Sequence, residues 1–475
     1  MSRETEYDLC IIGGGAAGLV TAAGAATLGA KVVLIETNKL GGECLYTGCV
    51  PSKALIHSAQ VAHSINTARQ SGLSASLHTV AQGSVMRRVA DVIKRIEPND
   101  SPERFRDMGV EVLFSTAKFI DDKTLSAGER TITAKHFVLA TGSRPAIPDI
   151  VGLDSVDYHT HETIFSLQDN IEHLIILGGG PIACELGQSF ARLGSTVSII
   201  ARSGLMPRED SDMVAVVEQQ FEAEGIMVYS NSDVRQVIKI ENGLAVQLND
   251  AELTTIEGSH LLIATGRRAN IDSLGLEHAD VDSHNSHLIL DSRLRTTNRR
   301  IFACGDVAGP FLFTHMAEHQ AGIVLRNTLF RLPVKSQTCN IPWCTFTSPE
   351  LARVGLSEQE ARAQGIKHHV YSFPFEEIDR AITDDQTAGM AKIITSPNGK
   401  ILGACIVGPQ AGELIAEYVL AISVGLKLSA LSKTIHIYPT LAQINRRVAD
   451  QRLKAALTPT RKKWMKCLFG LRGQS

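Results

Sequence analysis

Cys44 and Cys49 stand five residues apart in the run NKLGGECLYTGCVPSKALIHSAQ. Two thiols at that spacing can exchange electrons as a dithiol or share a metal ion. The glycines around them predict a loop in which the side chains meet, which one continuous helix would not allow well. Pro51 marks a helix start just beyond. Cys49 then falls near a helix N-terminus, where the dipole favours a thiolate, and Lys53 one turn on adds positive charge. A zinc site needs a second pair of ligands nearby; Cys339 and Cys344 repeat the spacing but lie far along the chain. A redox-active dithiol is the reading these residues favour, with a metal or purely structural role as the alternative.

The elements that must position this pair occur twice. Residues 10–36 read CIIGGGAAGLVTAAGAATLGAKVVLIE and residues 175–201 read IILGGGPIACELGQSFARLGSTVSIIA. A displacement of 165 residues lays Gly13, Gly14 and Gly15 on Gly178, Gly179 and Gly180, and Val32 and Ile35 on Val197 and Ile200. Later, VLATGSRPAI at 138–147 matches LIATGRRANI at 262–271, each closing on a glycine, Gly142 and Gly266. Two strand–turn–helix–strand units imply two dinucleotide-binding regions. In each, the first glycine permits the tight turn, the second admits a pyrophosphate, and the third position (Gly18 in the first copy) packs helix on strand. The helix N-terminus then offers free N–H groups to the phosphates.

The position 23 residues after the first glycine separates the two ligands. Glu36 in the first copy suits a ribose diol, as in FAD. The second copy has Ala201 there, followed by Arg202 and later Arg208, a setting that welcomes the 2′-phosphate of NADPH, with NADH as the alternative. The bland reading of both arginines is solvated surface charge.

At 475 residues the chain predicts roughly three domains. Its net charge of −3 excludes nucleic-acid binding by bulk charge, and 44% apolar with 20% charged residues is a globular composition with ample core. Nine cysteines are too sparse for a disulfide-stapled scaffold, and no cationic leader with an apolar core opens the sequence, so a cytoplasmic enzyme is expected. Residues 9–30 carry no charge, but their clustered glycines read as strand, turn and small-residue helix rather than a membrane span.

The motif GGxCxxxGCxPSK after a dinucleotide fingerprint resembles the class I pyridine nucleotide–disulfide oxidoreductases, which include dihydrolipoamide dehydrogenase, glutathione reductase and mercuric reductase. The likeness extends from residue 6 to about residue 455 and includes TTNRRIFACGDVAG at 296–309. It implies an α/β fold: two Rossmann-like domains for FAD and NAD(P), plus a C-terminal α+β dimerisation domain that starts near FTSPELARVGLSEQEA at 346–361. Expected boundaries are 1–150 and 271–335 for the FAD domain, 151–270 for NAD(P), 336–457 for dimerisation and 458–475 for a tail. By resemblance Asp306 holds the flavin ribitol, Ala117 and Thr141 line the FAD site, and Glu185 pairs with Lys53 beside the flavin. A homodimer is implied, each active site completed by its partner. Electrons would pass from NADPH through flavin to a Cys44–Cys49 disulfide, Cys49 being the flavin-proximal sulfur and Cys44 the interchange thiol.

Disulfide-reducing members of this family carry a histidine acid–base group and a glutamate five residues on. The matching stretch here is HIYPTLAQINRRVAD, with Tyr438 and Gln443 at those positions and His436 two residues earlier. The tyrosine is similar to the mercuric reductase branch, as is ARSGLMPRED at 201–210. That points to a soft-metal or thiol-reactive acceptor; an NAD-linked dihydrolipoamide dehydrogenase using His436 is the alternative. Tyr438 and Tyr46 could equally just pack. Mercuric reductases also have a vicinal C-terminal cysteine pair, whereas this tail offers Cys467 alone, as a free thiol, metal ligand or inert group. The tail TPTRKKWMKCLFGLRGQS interleaves cations with Trp464, Leu468 and Phe469, a pattern suited to anionic lipid, to docking on its own protein, or to recruitment as a membrane-bound redox sensor.

Overall fold

The computed structural model describes residues 5–76, 79–337 and 340–473. It divides into two compact units, Met1–Gly204 with Ile226–Gln337, and Leu205–Gly225 with Thr338–Ser475.

In the first unit, strand Thr5–Ile12 leads through a glycine turn into helix Ala16–Thr27 and back along strand Val32–Glu36, parallel to the first with Ile12 opposite Ile35. Leu9–Ile12 and Val32–Ile35 are continuous apolar runs because the parallel part of the sheet is covered on both faces; Leu9, Ile11, Val33 and Leu34 are fully buried. The sheet order is Val110–Phe114, Val32–Glu36, Thr5–Ile12, Arg130–Leu139, Thr124–Ala127, Ala117–Phe119. Ile301–Ala303 joins it, parallel to the end of Arg130–Leu139, so a strand from late in the chain completes a sheet begun at residue 5. The second parallel sheet runs Met227–Ser230, Thr196–Ala201, His173–Leu177, His260–Ile263, beside an antiparallel layer of Val234–Ile240, Gly243–Leu248 and Thr255–Gly258.

The sequence repeat has a structural counterpart. Gly13 and Gly178 have φ of +107° and +126°, and a Cβ on either would stand 2.3 Å from the carbonyl oxygen of Ala140 or Ala264 respectively. Each fingerprint therefore abuts the alanine of its own Ala-Thr-Gly segment. The two segments continue into an antiparallel pair, Ser143–Pro145 with Arg267–Ala269. Residues 9–30 form the expected strand, turn and helix, and no helix among the described residues is long and apolar enough to cross a membrane.

The second unit is a five-stranded antiparallel sheet, Pro342–Thr345, Glu350–Gly355, Ile401–Gly408, Met390–Thr395, His369–Pro374. Tyr418, Ile444 and Val448 from its helices share a core with Ile393 and Ile406 from the sheet. Helix Ser211–Ala223 belongs to this unit and buries Met213, Val217 and Phe221, although its sequence position falls in the 151–270 stretch. Its lead-in is tied down by charge: Glu209 meets the buried Arg353 at 3.1 Å, and Asp210 accepts from the backbone N–H groups of Glu358 and Gln359 at 3.0 Å. The fold is thus two Rossmann-like regions and a separate C-terminal α+β domain.

Candidate active site

Cys44 lies in the one-turn helix Gly42–Tyr46, and Cys49 is the first residue of helix Cys49–Asn66. The expected loop is only a two-residue break, Thr47 and Gly48. A Cβ on Gly48 would crowd the Glu43 carbonyl oxygen at 3.0 Å and Cys44 Cα at 3.3 Å, so glycine eases the close approach there. This fold-back brings both sulfurs to one hydroxyl. Thr314 donates to Cys44 Sγ at 3.1 Å, and its oxygen lies 3.6 Å from Cys49 Sγ. The Cys49 thiol is drawn down to about 6, first by the hydrogen bond from Cys44 and then, against its burial, by Thr314 and the Lys53 charge. The Cys44 thiol is pushed well up by that same hydrogen bond, by burial and by its neighbour's negative charge. Hydrogen bonding and charge thus favour a thiolate at Cys49 beside a thiol at Cys44, the pairing a dithiol needs for exchange. Lys53, one turn after Cys49, places Nζ 2.8 Å from Glu185 Oε2 in helix Pro181–Arg192.

Beside the cysteines lies a charge cluster that sequence reasoning missed apart from Asp306. The Arg267 guanidinium clasps both carboxylate oxygens of Glu43, the residue preceding Cys44, and His161 Nε2 meets Glu43 Oε1 at 2.5 Å. Arg267 also stands 3.2 Å from Asp306, whose Oδ2 accepts from Ser143 Oγ at 2.6 Å. Burial alone would raise the Glu43 carboxyl, but Arg267 and His161 hold it at about 2. Burial raises Asp306, with Arg267 opposing.

The cofactor cradles are intact. Gly14 donates its N–H to Glu36 Oε2 at 2.6 Å, and Asn38 donates to Oε1 at 2.8 Å, which fixes the carboxylate at the strand end. A Cβ on Gly15 would meet only Gly42 Cα at 3.9 Å, and one on Gly180 nothing within 4 Å. Each glycine opens the space at its helix N-terminus that a pyrophosphate requires, so these residues fit FAD and NAD(P). At Gly18, by contrast, a Cβ would fall 1.9 Å from the Gly13 carbonyl oxygen, the close helix–strand approach expected of the third glycine. Gly142 and Gly266, both at positive φ, likewise face open space. Ala117 is buried in its strand, and Thr141 Oγ1 donates to the Asn270 carbonyl at 2.7 Å. Arg202 is exposed at the end of its strand, whereas the Arg208 guanidinium lies 5.4 Å from the Trp343 ring in the second unit.

His436 and Tyr438 belong to the second unit. The Tyr438 hydroxyl donates to Asp379 at 2.9 Å, which raises its pKa further above the ordinary phenol value. His436 has both ring nitrogens engaged, Nδ1 with the Thr434 carbonyl at 3.1 Å and Nε2 with Glu417 at 3.0 Å. Gln443 donates to the His436 and Ile437 carbonyls, holding this strap in place. Tyr46 donates to Glu97 at 2.8 Å. Cys339 lies outside the described residues, and Cys344 contacts Glu350 at 4.0 Å. Among the described residues, no three or more His, Cys, Asp or Glu side chains are grouped to hold a metal ion.

Two dinucleotide cradles flanking a polarised cysteine pair define an FAD- and NAD(P)-dependent disulfide oxidoreductase. The chain belongs to the pyridine nucleotide-disulphide oxidoreductase family: its family model matches residues 7–321, and the model of the family's dimerisation domain matches residues 341–448. A mercuric reductase of Streptomyces lividans is 36% identical over 452 residues, covering 93% of this chain and 95% of the relative. A dihydrolipoyl dehydrogenase of Thermus scotoductus is 34% identical over 460 residues, covering 92% and 95%. Among solved structures, the Cu(II) complex of the HOCl-induced flavoprotein disulfide reductase RclA from Escherichia coli superposes with a TM-score of 0.84 at 28% identity, covering 94% of this chain and 99% of that one.

Proposed function

We propose that this enzyme carries electrons from NADPH to a soft-metal or thiol-reactive acceptor rather than to a substrate disulfide. The observation that carries this reading is the missing histidine base: Tyr438 and Gln443 occupy the positions of the acid–base pair, and both nitrogens of nearby His436 are already committed. A phenol held protonated by Asp379 is a poor proton shuttle at neutral pH. A soft metal ion prefers thiolates and accepts two electrons without a histidine. The mercuric reductase relatives and the copper-complexed neighbour support the same class of acceptor.

FAD, when bound in the first cradle, supplies the two-electron relay between nicotinamide and disulfide. The chain's own residues do the rest. Reduction of the Cys44–Cys49 disulfide takes two electrons and one proton, breaks the S–S bond and leaves Cys49 as thiolate and Cys44 as thiol. Thr314 holds both sulfurs, and Lys53, fixed by Glu185, favours the negative charge on Cys49. Glu36, its carboxylate fixed by the Asn38 N–H, would accept from the FAD ribose, and the exposed Arg202 would meet a 2′-phosphate in the second cradle. The family's dimerisation domain supports a homodimer.

A steady-state acceptor panel with NADPH tests the reading. Hg(II) or another thiophilic acceptor should support turnover, while lipoamide and glutathione disulfide should fall about 100-fold or more below it, the usual contribution of a positioned acid–base group. Strong lipoamide turnover near neutral pH would overturn the proposal in favour of a dihydrolipoamide dehydrogenase.

A further inference from the structure

Residues 451–475 contain seven Lys and Arg and no Asp or Glu. Within them the chain forms a helix, Pro459–Phe469, that is fully specified locally. The Thr458 side chain caps its start by accepting from the Arg461 N–H, Pro459 occupies the first turn, and Gly470 ends it at φ +64°. Yet none of its residues is buried. Trp464 is 71% exposed, and Leu468 and Phe469 are similarly open.

At 100° per residue, Trp464, Met465, Leu468 and Phe469 fall on one arc, with Lys462 at its edge and Lys466 and Lys463 farther round the helix. Arg461 projects among the apolar residues by angle, but its guanidinium donates back to the Ala456 carbonyl at 3.0 Å and so caps the preceding helix. An eleven-residue helix is marginal in water unless its apolar face is covered. Charge complementarity decides what covers it. A second copy of the same tail would bring like charges together, whereas an anionic surface would neutralise them. A helix with tryptophan and aliphatic residues on one side and lysines on the other fits the boundary between lipid headgroups and acyl chains.

We propose that the Pro459–Phe469 helix docks the enzyme peripherally on anionic lipid bilayers, lying in the interface with Trp464, Leu468 and Phe469 inserted and the lysines against the headgroups. A homodimer presents two such helices, which strengthens a weak single contact by avidity.

The full-length flavin-loaded enzyme should co-sediment with vesicles containing about one-third phosphatidylserine at least tenfold more than with phosphatidylcholine alone, and about 1 M salt should release most of it. The sequence has only two tryptophans, and Trp343 is packed against Arg353, so a blue shift in emission on binding reports Trp464. Trp464→Phe should abolish that shift yet still bind. The triple variant Lys462→Glu, Lys463→Glu, Lys466→Glu should lose vesicle binding and keep its flavin and NADPH oxidation. Absence of binding, equal binding to both vesicles, or binding that survives the triple variant would each overturn the proposal. So would a tail-dependent change in oligomeric state without lipid, which would make a second copy the occupant.

Discussion

Cys49 holds its charge through neighbours supplied by three parts of the chain, and the largest of them is Cys44. Removing that donor should destabilise the thiolate. In Cys44→Ala, the pH midpoint for alkylation of Cys49 should rise from about 6 towards the ordinary thiol value of about 8.5. Pre-steady-state alkylation of the reduced protein measures it, and an unchanged midpoint would put the cause elsewhere. Glu43 gives a second residue-level prediction. Its carboxyl falls from an ordinary 4.5 to about 2 on folding, so its ionisation stabilises the native state above about pH 4.5, and that increment is lost as pH falls through 2. The shift corresponds to about 3 kcal/mol, comparable to breaking one partner of a buried ion pair. Glu43→Gln should therefore lower the unfolding midpoint at pH 7 and remove that acid dependence, as denaturant titrations at several pH values will record. The sequence disclosed Cys44, Cys49, Lys53 and Glu185 through motif and resemblance. It concealed Thr314 and the Glu43–Arg267 pair, whose members lie 270 and 224 residues from their partners with no periodicity to link them.

At the scale of elements, the two glycine fingerprints were legible because the buried ends of parallel strands are apolar on both faces and the tight turn into each helix requires glycine at its first position. The structure adds a distinction among those glycines. An alanine at Gly13 would collide with the Ala140 backbone and should impair folding of the first sheet. An alanine at Gly15 or Gly180 meets open space in the protein alone, so its cost falls on the ligand. Gly15→Ala should yield folded protein with little or no bound flavin and so little of its yellow absorbance. Gly180→Ala should keep its flavin and raise the KM for NADPH. Circular dichroism with flavin content and steady-state kinetics separates the two; parallel loss of flavin in both variants would contradict the assignment of the cradles. The cysteine segment was less legible. Its glycines suggested a loop, but Gly48 instead lets two helices abut.

For the whole molecule, the apolar surface of the second unit bears on assembly. Ile435 is 92% and Ile437 78% exposed, and Leu420 and Val424 are open as well, an arrangement that a matched dimerisation domain would bury against its partner. Ile435→Glu with Ile437→Glu should shift the protein from dimer to monomer in light scattering and reduce acceptor turnover, leaving flavin binding in place. Length and repeats predict roughly three domains; the two Rossmann-like regions share one compact unit, and the α+β domain forms the other. Packing of Leu205–Gly225 with the C-terminal residues was illegible, because a helix does not announce which sheet it will cover. That detour has a consequence for dissection of the enzyme. The polypeptide leaves the first unit after Gly204 and re-enters it at Ile226, so the second unit is stitched from two separate lengths of chain. Cutting between residues 337 and 340 would strand Met213, Val217 and Phe221 on one fragment and their binding surface on the other. No single scission can release the two units whole, and an excised C-terminal fragment will need the 205–225 peptide added back to fold.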